Sequence, residues 1–138
     1  MKKSFLLVFG MLVAAFAYAQ VAAGTAPKGD VAAFTWTTQV HDFGKIKQGV
    51  PVTHEFTFTN SGSVPLVITN VQASCGCTTP DWSKAPVMPG GKGFIKATYS
   101  AASSGAFDKS VTVTANVEEG FVSLRIKGEV EMPSVPNN

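Results

Sequence analysis

From residue 33 to residue 131, apolar and polar positions alternate with a period of two, and no window carries an apolar stripe at helical spacing. Val52, His54, Phe56 and Phe58 alternate with Thr53, Glu55, Thr57 and Thr59, which predicts a half-buried strand with aromatics on one face. Asn60-Ser61-Gly62 ends it as a turn. Pro65 to Val71 is a second strand, with Pro65 tolerated at the strand start. Pro89-Gly90-Gly91 is a turn, its glycines permitting positive φ, and it feeds a strand from Phe94 to Tyr99. Phe107, Lys109, Val111, Val113, Ala115 and Val117 share one face of a long strand. Glu118-Glu119-Gly120 turns the chain into Val122, Leu124, Ile126 and Val130, the apolar face of an antiparallel partner. Upstream, Phe34 to Thr37 and Val40 to Phe43 are short edge strands, and Phe43 and Ile46 anchor the core around a turn at Gly44.

The sum is an all-β chain. It predicts an immunoglobulin-like antiparallel β-sandwich of about seven strands, with a closed barrel as the alternative. No cysteine pair could bridge two sheets in the antibody manner, and the sequence does not assign Trp36 or Trp82 the tryptophan position of that fold.

The ends differ from this middle. Lys2 and Lys3 precede an apolar run from Phe5 to Phe16, and Ala17-Tyr18-Ala19 fits a cleavage site, so residues 1–19 read as a secretory signal. The run is short for a retained anchor, so no stable membrane insertion is expected after cleavage. Residues 20–32, rich in Ala and Gly, form a flexible lead-in, 33–131 the folded domain, and 132–138 a disordered tail. The chain is thus expected to be exported, to the periplasm or the extracellular medium. Of 11 Lys+Arg against 9 Asp+Glu, two lysines leave with the signal. A neutral remainder with one arginine, Arg125, has no electrostatic footprint for nucleic acid.

Cys75-Gly76-Cys77 holds both cysteines of the chain, one residue apart. A bridge across so short a loop stabilises by roughly 1.6 kcal/mol before strain. That is a weak reason to exist, so a local turn clamp, a redox pair and a soft-metal grip stay open. Export favours oxidation, and Gly76 lets the backbone bend enough for a bridge. Two thiolates could hold Cu(I). A tetrahedral site would need His41 and His54 as well, but His54 fits better as a partly buried histidine near the sheet end. Met88 is a thioether candidate whose plainer role is core filler. Trp82, after Pro80-Asp81, is either an exposed contact residue or a cap over the core, and the cap is favoured. Ser74, Cys75, Gly76, Cys77, Thr78 and Trp82 make up the candidate functional loop.

Other motifs fail. Pro89-Gly90-Gly91-Lys92-Gly93 lacks the upstream glycine and the final Ser/Thr of a phosphate loop. Asp42-Phe43-Gly44 lies in a chain too short for a kinase. The acidic residues are scattered, so no carboxylate pair is signalled, and no catalytic residue is assigned.

HDFGKIKQG (41–49), EFTFTNSGSVPLVI (55–68), SCGCTTPDW (74–82), PGGKGFIKATY (89–99) and LRIKGEV (124–130) occur in that order. Together they closely resemble the bacterial domain-of-unknown-function 1573 family, itself similar to the Hydin and ASH type of immunoglobulin-like domains. The resemblance spans roughly residues 33–131. It implies an exported immunoglobulin-like module and supplies no reaction. The function expected is therefore a non-enzymatic binding domain of the bacterial envelope, docking a protein partner by strand addition or through the 74–82 loop. The alternative is a thiol-based redox or Cu(I)-binding protein. A hydrolase or carbohydrate-binding domain is weaker, since fold alone assigns no chemistry.

Overall fold

The computed structural model describes residues 29–135. The expected signal, most of the lead-in and the last three tail residues lie outside the described residues. Eight strands form two four-stranded sheets: β1 (Phe34–Trp36), β2 (Val40–Lys47), β3 (Val52–Asn60), β4 (Ile68–Ala73), β5 (Thr78–Trp82), β6 (Lys92–Tyr99), β7 (Gly105–Ala115) and β8 (Phe121–Glu131). One sheet has the order β1-β3-β6-β5 and the other β2-β8-β7-β4. This is the two-sheet immunoglobulin sandwich, with its first strand divided between the sheets.

The alternating pattern places the core. Phe56 and Phe58 of β3, Ile95 and Ala97 of β6, Val111 and Val113 of β7, and Leu124 and Ile126 of β8 are fully buried. Burial of each large side chain contributes about 1.5–3 kcal/mol. In each sheet one core phenylalanine lies over a glycine on the neighbouring strand. Phe58 pairs with Gly93, and Phe107 with Gly128. A Cβ on Gly93 would run into the Phe58 ring, and one on Gly128 would sit 2.9 Å from the Phe107 ring. The glycines are there for space.

Four expectations change. The Pro65–Val71 strand starts later, at Ile68, because Leu66 is engaged in an isolated bridge with Val87. Residues 78–82, expected as loop, form the additional strand β5, since Thr78 to Trp82 pair with Tyr99 to Ile95. The sandwich is not wholly antiparallel: β2 runs parallel to β8. Gly44 is no turn; its φ of +65° sits where the β2–β8 register shifts between Asp42 and Lys45, so it makes a bulge inside β2. In the 89–93 turn only Gly90 has positive φ, at +78°.

Asn60 ties the structure together. Its side chain is fully buried. Nδ2 donates to Val64 O at 2.8 Å and Val87 O at 2.9 Å. Oδ1 accepts from Gly62 N–H at 2.9 Å and Ala33 N–H at 3.4 Å. Its backbone N–H donates to Gly91 O, and its carbonyl accepts from Gly90 N–H. One side chain thus satisfies four backbone groups from three connecting segments. Asn60→Ala is expected to cost about 3 kcal/mol, because it leaves Val64 O and Gly62 N–H without this partner, removes one of the two hydrogen bonds at Val87 O and opens a cavity. Thermal unfolding checks this: a loss under about 1 kcal/mol would show that the loops hold themselves.

Candidate functional site

The Cys75-Gly76-Cys77 turn connects β4, the edge of one sheet, to β5, the edge of the other. It is fixed at both ends. Ser74 N–H donates to Ser110 O at 2.9 Å, and Ser74 Oγ accepts from Ser110 N–H at 3.1 Å. Cys77 O accepts from Ser100 N–H at 2.9 Å, and Thr78 N–H donates to Cys75 O at 3.3 Å. Cys75 and Cys77 are in disulfide contact, with Cα atoms 5.3 Å apart, inside the usual bridging range. Both cysteines are half-buried, and Gly76 between them is exposed. The buried Thr78 hydroxyl lies 3.9 Å from Cys75 Sγ and 4.0 Å from Cys77 Sγ.

Trp82 shares the inward face of β5 with Thr78 and packs half-buried against the main core. The cap reading is the one that fits. Lys84 Nζ sits 2.9 Å from the Trp82 ring centroid, and Asp81 Oδ1 accepts from Trp82 N–H. Met88 is 61% exposed, so it is not core filler; Val87 takes the inward position.

The histidines meet each other on the far side of the sandwich. His41 of β2 and His54 of β3 stack with ring centroids 3.6 Å apart and planes 8° from parallel. Phe43 meets the His41 ring edge-on at 4.6 Å, and Phe56 meets the His54 ring edge-on at 4.6 Å. His54 Nε2 is buried without a hydrogen-bond partner among the described residues. Burial, then the neighbouring His41, pushes the His54 imidazole below its ordinary value of 6.5, against a smaller opposing pull from Glu55. The four-ligand reading is therefore corrected. The cysteines follow β4 and His41 lies on β2, at opposite edges of one sheet. Three strand spacings, about 14 Å, separate those edges. No group of three or more His, Cys, Asp or Glu gathers to hold a metal among the described residues.

The sequence reading missed a groove of about 590 Å³ beside β1. Phe34, Trp36, Val117 and Val122 line it, with Glu118, Glu119 and Phe121 at its lip. Phe34 and Trp36 stack at 4.8 Å, and Phe121 is 58% exposed. The exposed aromatic just past the acidic turn was the signal available in the sequence.

Two outcomes are expected. Cys75→Ser with Cys77→Ser leaves the protein folded with a loss of about 1–2 kcal/mol, read by urea denaturation; complete unfolding would mean the bridge, not packing, carries the fold. Stability falls with acidification because of His54. Its folded value is depressed, so its contribution is complete above 6.5 and is lost as pH drops from there towards the folded value. His54→Phe should flatten the melting-temperature slope between pH 7.5 and 5 relative to the wild type, and an unchanged slope would assign it to the carboxylates.

Solved structures similar to this chain share little sequence with it. A protein of unknown function from Porphyromonas gingivalis W83 superposes with a TM-score of 0.64 at 15% identity, covering 71% of this chain and 46% of that one. The human CEP192 ASH/PapD-like domain 7 gives 0.64 at 8% identity, covering 97% and 99%. The VesB protease of Vibrio cholerae gives 0.60 at 17% identity, covering 70% and 31%. The chain thus spans less than half the length of the P. gingivalis and V. cholerae proteins. At these identities the likeness is one of fold. No curated protein matches the sequence. The family model described as "Protein of unknown function (DUF1573)" matches residues 34–130, and the chain belongs to that family.

Proposed function

We propose that this chain is an exported, non-enzymatic binding module of the bacterial cell envelope that docks a protein partner. The observation that supports this reading most is the groove beside β1. Binding surfaces combine an apolar floor with a polar rim, and here stacked Phe34 and Trp36 form the floor while Glu118 and Glu119 form the rim. Phe121 stands out from the β7–β8 turn as an anchor whose removal leaves the core intact. Its exposure means that Phe121→Glu should shift stability by no more than about 0.5 kcal/mol. A photo-crosslinker at position 121 in the native envelope is expected to give one discrete protein adduct. The same probe at exposed Thr79 is the control. Equal labelling from both positions, or none from 121, would remove the groove from consideration. Fractionation of the same cells tests export, and recovery of the protein in the cytoplasm would overturn it.

The second reading is thiol exchange. It draws on the Thr78 hydroxyl within 4.0 Å of both sulfurs, a hydrogen-bond donor for a thiolate released when the bridge opens. A partner dithiol would attack one sulfur, pass through a mixed disulfide and leave as a disulfide, with Cys75 and Cys77 reduced. The reduced pair is also the form that would grip Cu(I). Alkylation with intact-mass analysis after mild dithiothreitol treatment, and native mass spectrometry with added Cu(I), test this. A bridge that resists reduction would leave the turn as a clamp.

A further inference from the structure

We propose that the backbone of β3 at Thr53–Glu55 is a strand-addition site for an extended peptide segment that reads basic, apolar, polar. The inference follows from which way each backbone group points. In an antiparallel ladder, alternate residues turn both N–H and C=O towards one neighbour. Asn60 N–H donates to Gly91 O, so the even-numbered residues of β3 face β6. Thr37 N–H donates to Thr57 O and Ser61 N–H to Ala33 O, so the odd-numbered residues face β1. β1 ends at Trp36, opposite Phe58, and the chain then crosses to the other sheet as β2. Thr53 and Glu55 therefore present two donors and two acceptors with no strand beside them among the described residues.

The β5 and β2 edges are protected in ways natural sheets use against unwanted pairing, and the β4 row is shortened. On β5 the outward positions are Thr78, Pro80 and Trp82, by the same parity from Cys77 O and Ser83 N–H. Thr78 N–H is held by Cys75 O, Pro80 has no N–H, and Trp82 N–H is held by Asp81. On β2, Thr38 Oγ1 engages both Val40 N–H and Val40 O, and the bulge at Gly44 breaks the row. On β4 a register shift between Ile68 and Asn70 leaves only Val71 and Ala73 in step.

The chemistry of the guest follows from its neighbours. A strand prolonging β1 runs antiparallel to β3, so directly opposed side chains share a face. The residue opposite Glu55 lies on the outer face beside a carboxylate that is half-exposed and only loosely paired with Lys96 at 3.7 Å, so it is basic. The residue opposite His54 lies on the inner face near Phe56 and Phe43, so it is apolar. The residue opposite Thr53 meets the Thr53–Thr98 hydroxyl pair and is polar.

The test uses the purified protein and a capped Ser-Lys-Val-Thr-Ser peptide, followed by amide NMR and hydrogen exchange. In the free protein the Thr53 and Glu55 amides should exchange at least about tenfold faster than those of His54 and Phe56. Peptide should slow them and shift their signals. The same peptide N-methylated at its Lys and Thr amides should do neither, a control that needs no protein variant. Glu55→Lys should prefer a peptide with Glu in place of Lys. Thr53 and Glu55 amides already protected in the free protein, shifts centred on Val71 and Ala73, equal effects from the N-methylated peptide, or no shifts at about 1 mM would each overturn the proposal.

Discussion

The buried Asn60 carboxamide is the interaction on which the sandwich end depends. A buried amide without partners costs a few kcal/mol, so its placement makes sense only if every group is used. Here Nδ2 holds Val64 and Val87 while Oδ1 holds Gly62 and Ala33. Leu66 and Val87 exchange both backbone hydrogen bonds next to it. The segment before β1, the turn after β3, the approach to β4 and the approach to β6 all converge on one residue. That convergence seats Phe34 and Trp36, and with them the floor of the groove. The link from a single polar residue to a candidate binding surface runs through geometry alone.

Within the layers, a second constraint repeats. Phe58 lies over Gly93 in one sheet and Phe107 lies over Gly128 in the other. A cross-strand aromatic covers the backbone that a glycine leaves bare and pins the register there. Gly128 serves a further purpose, since a Cβ there would approach Gly44 O to 2.8 Å. The β2 bulge, the glycine on β8 and the phenylalanine on β7 therefore interlock. The bulge lies between His41 and Ile46 in β2, with His41 set against His54 of the opposite sheet.

Much of this was legible in the sequence, for identifiable reasons. The alternation in β3, β7 and β8 is strict, so the buried faces of Phe56, Val111, Val113, Leu124 and Ile126 could be read directly. Of the two edge strands before β3, the first was legible and the second only at its start, since β2 continues past Gly44 to Lys47. β5 was not, because Pro80 in a short polar run argues against a strand, and here its missing N–H points to the outer edge where none is needed. Asn60 read as a turn residue because turn asparagines are common. Its burial depends on contacts with Ala33, Val64 and Val87 that no local window contains. The stacked histidines were invisible as a pair for the same reason. Parallel pairing of β2 with β8 joins the start of the fold to its end, and periodicity carries no information about partners.

The disulfide turn takes on a clearer role once the edges are compared. Its contribution to global stability is small because the loop it closes is small. Its local effect is specific: it holds the Cys75 carbonyl against Thr78 N–H, the first outward donor of β5. Pro80 and Asp81 deal with the next two positions. A crossover between edges of different sheets is where a sandwich is most open to adventitious pairing. The Ser-Cys-Gly-Cys-Thr-Thr-Pro-Asp-Trp run closes that edge residue by residue. The same physics leaves β3 unguarded at Thr53 and Glu55, where no proline, bulge or side-chain cap among the described residues takes up the outward groups. The contrast between an edge closed at each outward donor and a row left open at Thr53 and Glu55 is the physical ground of the proposed strand-addition site.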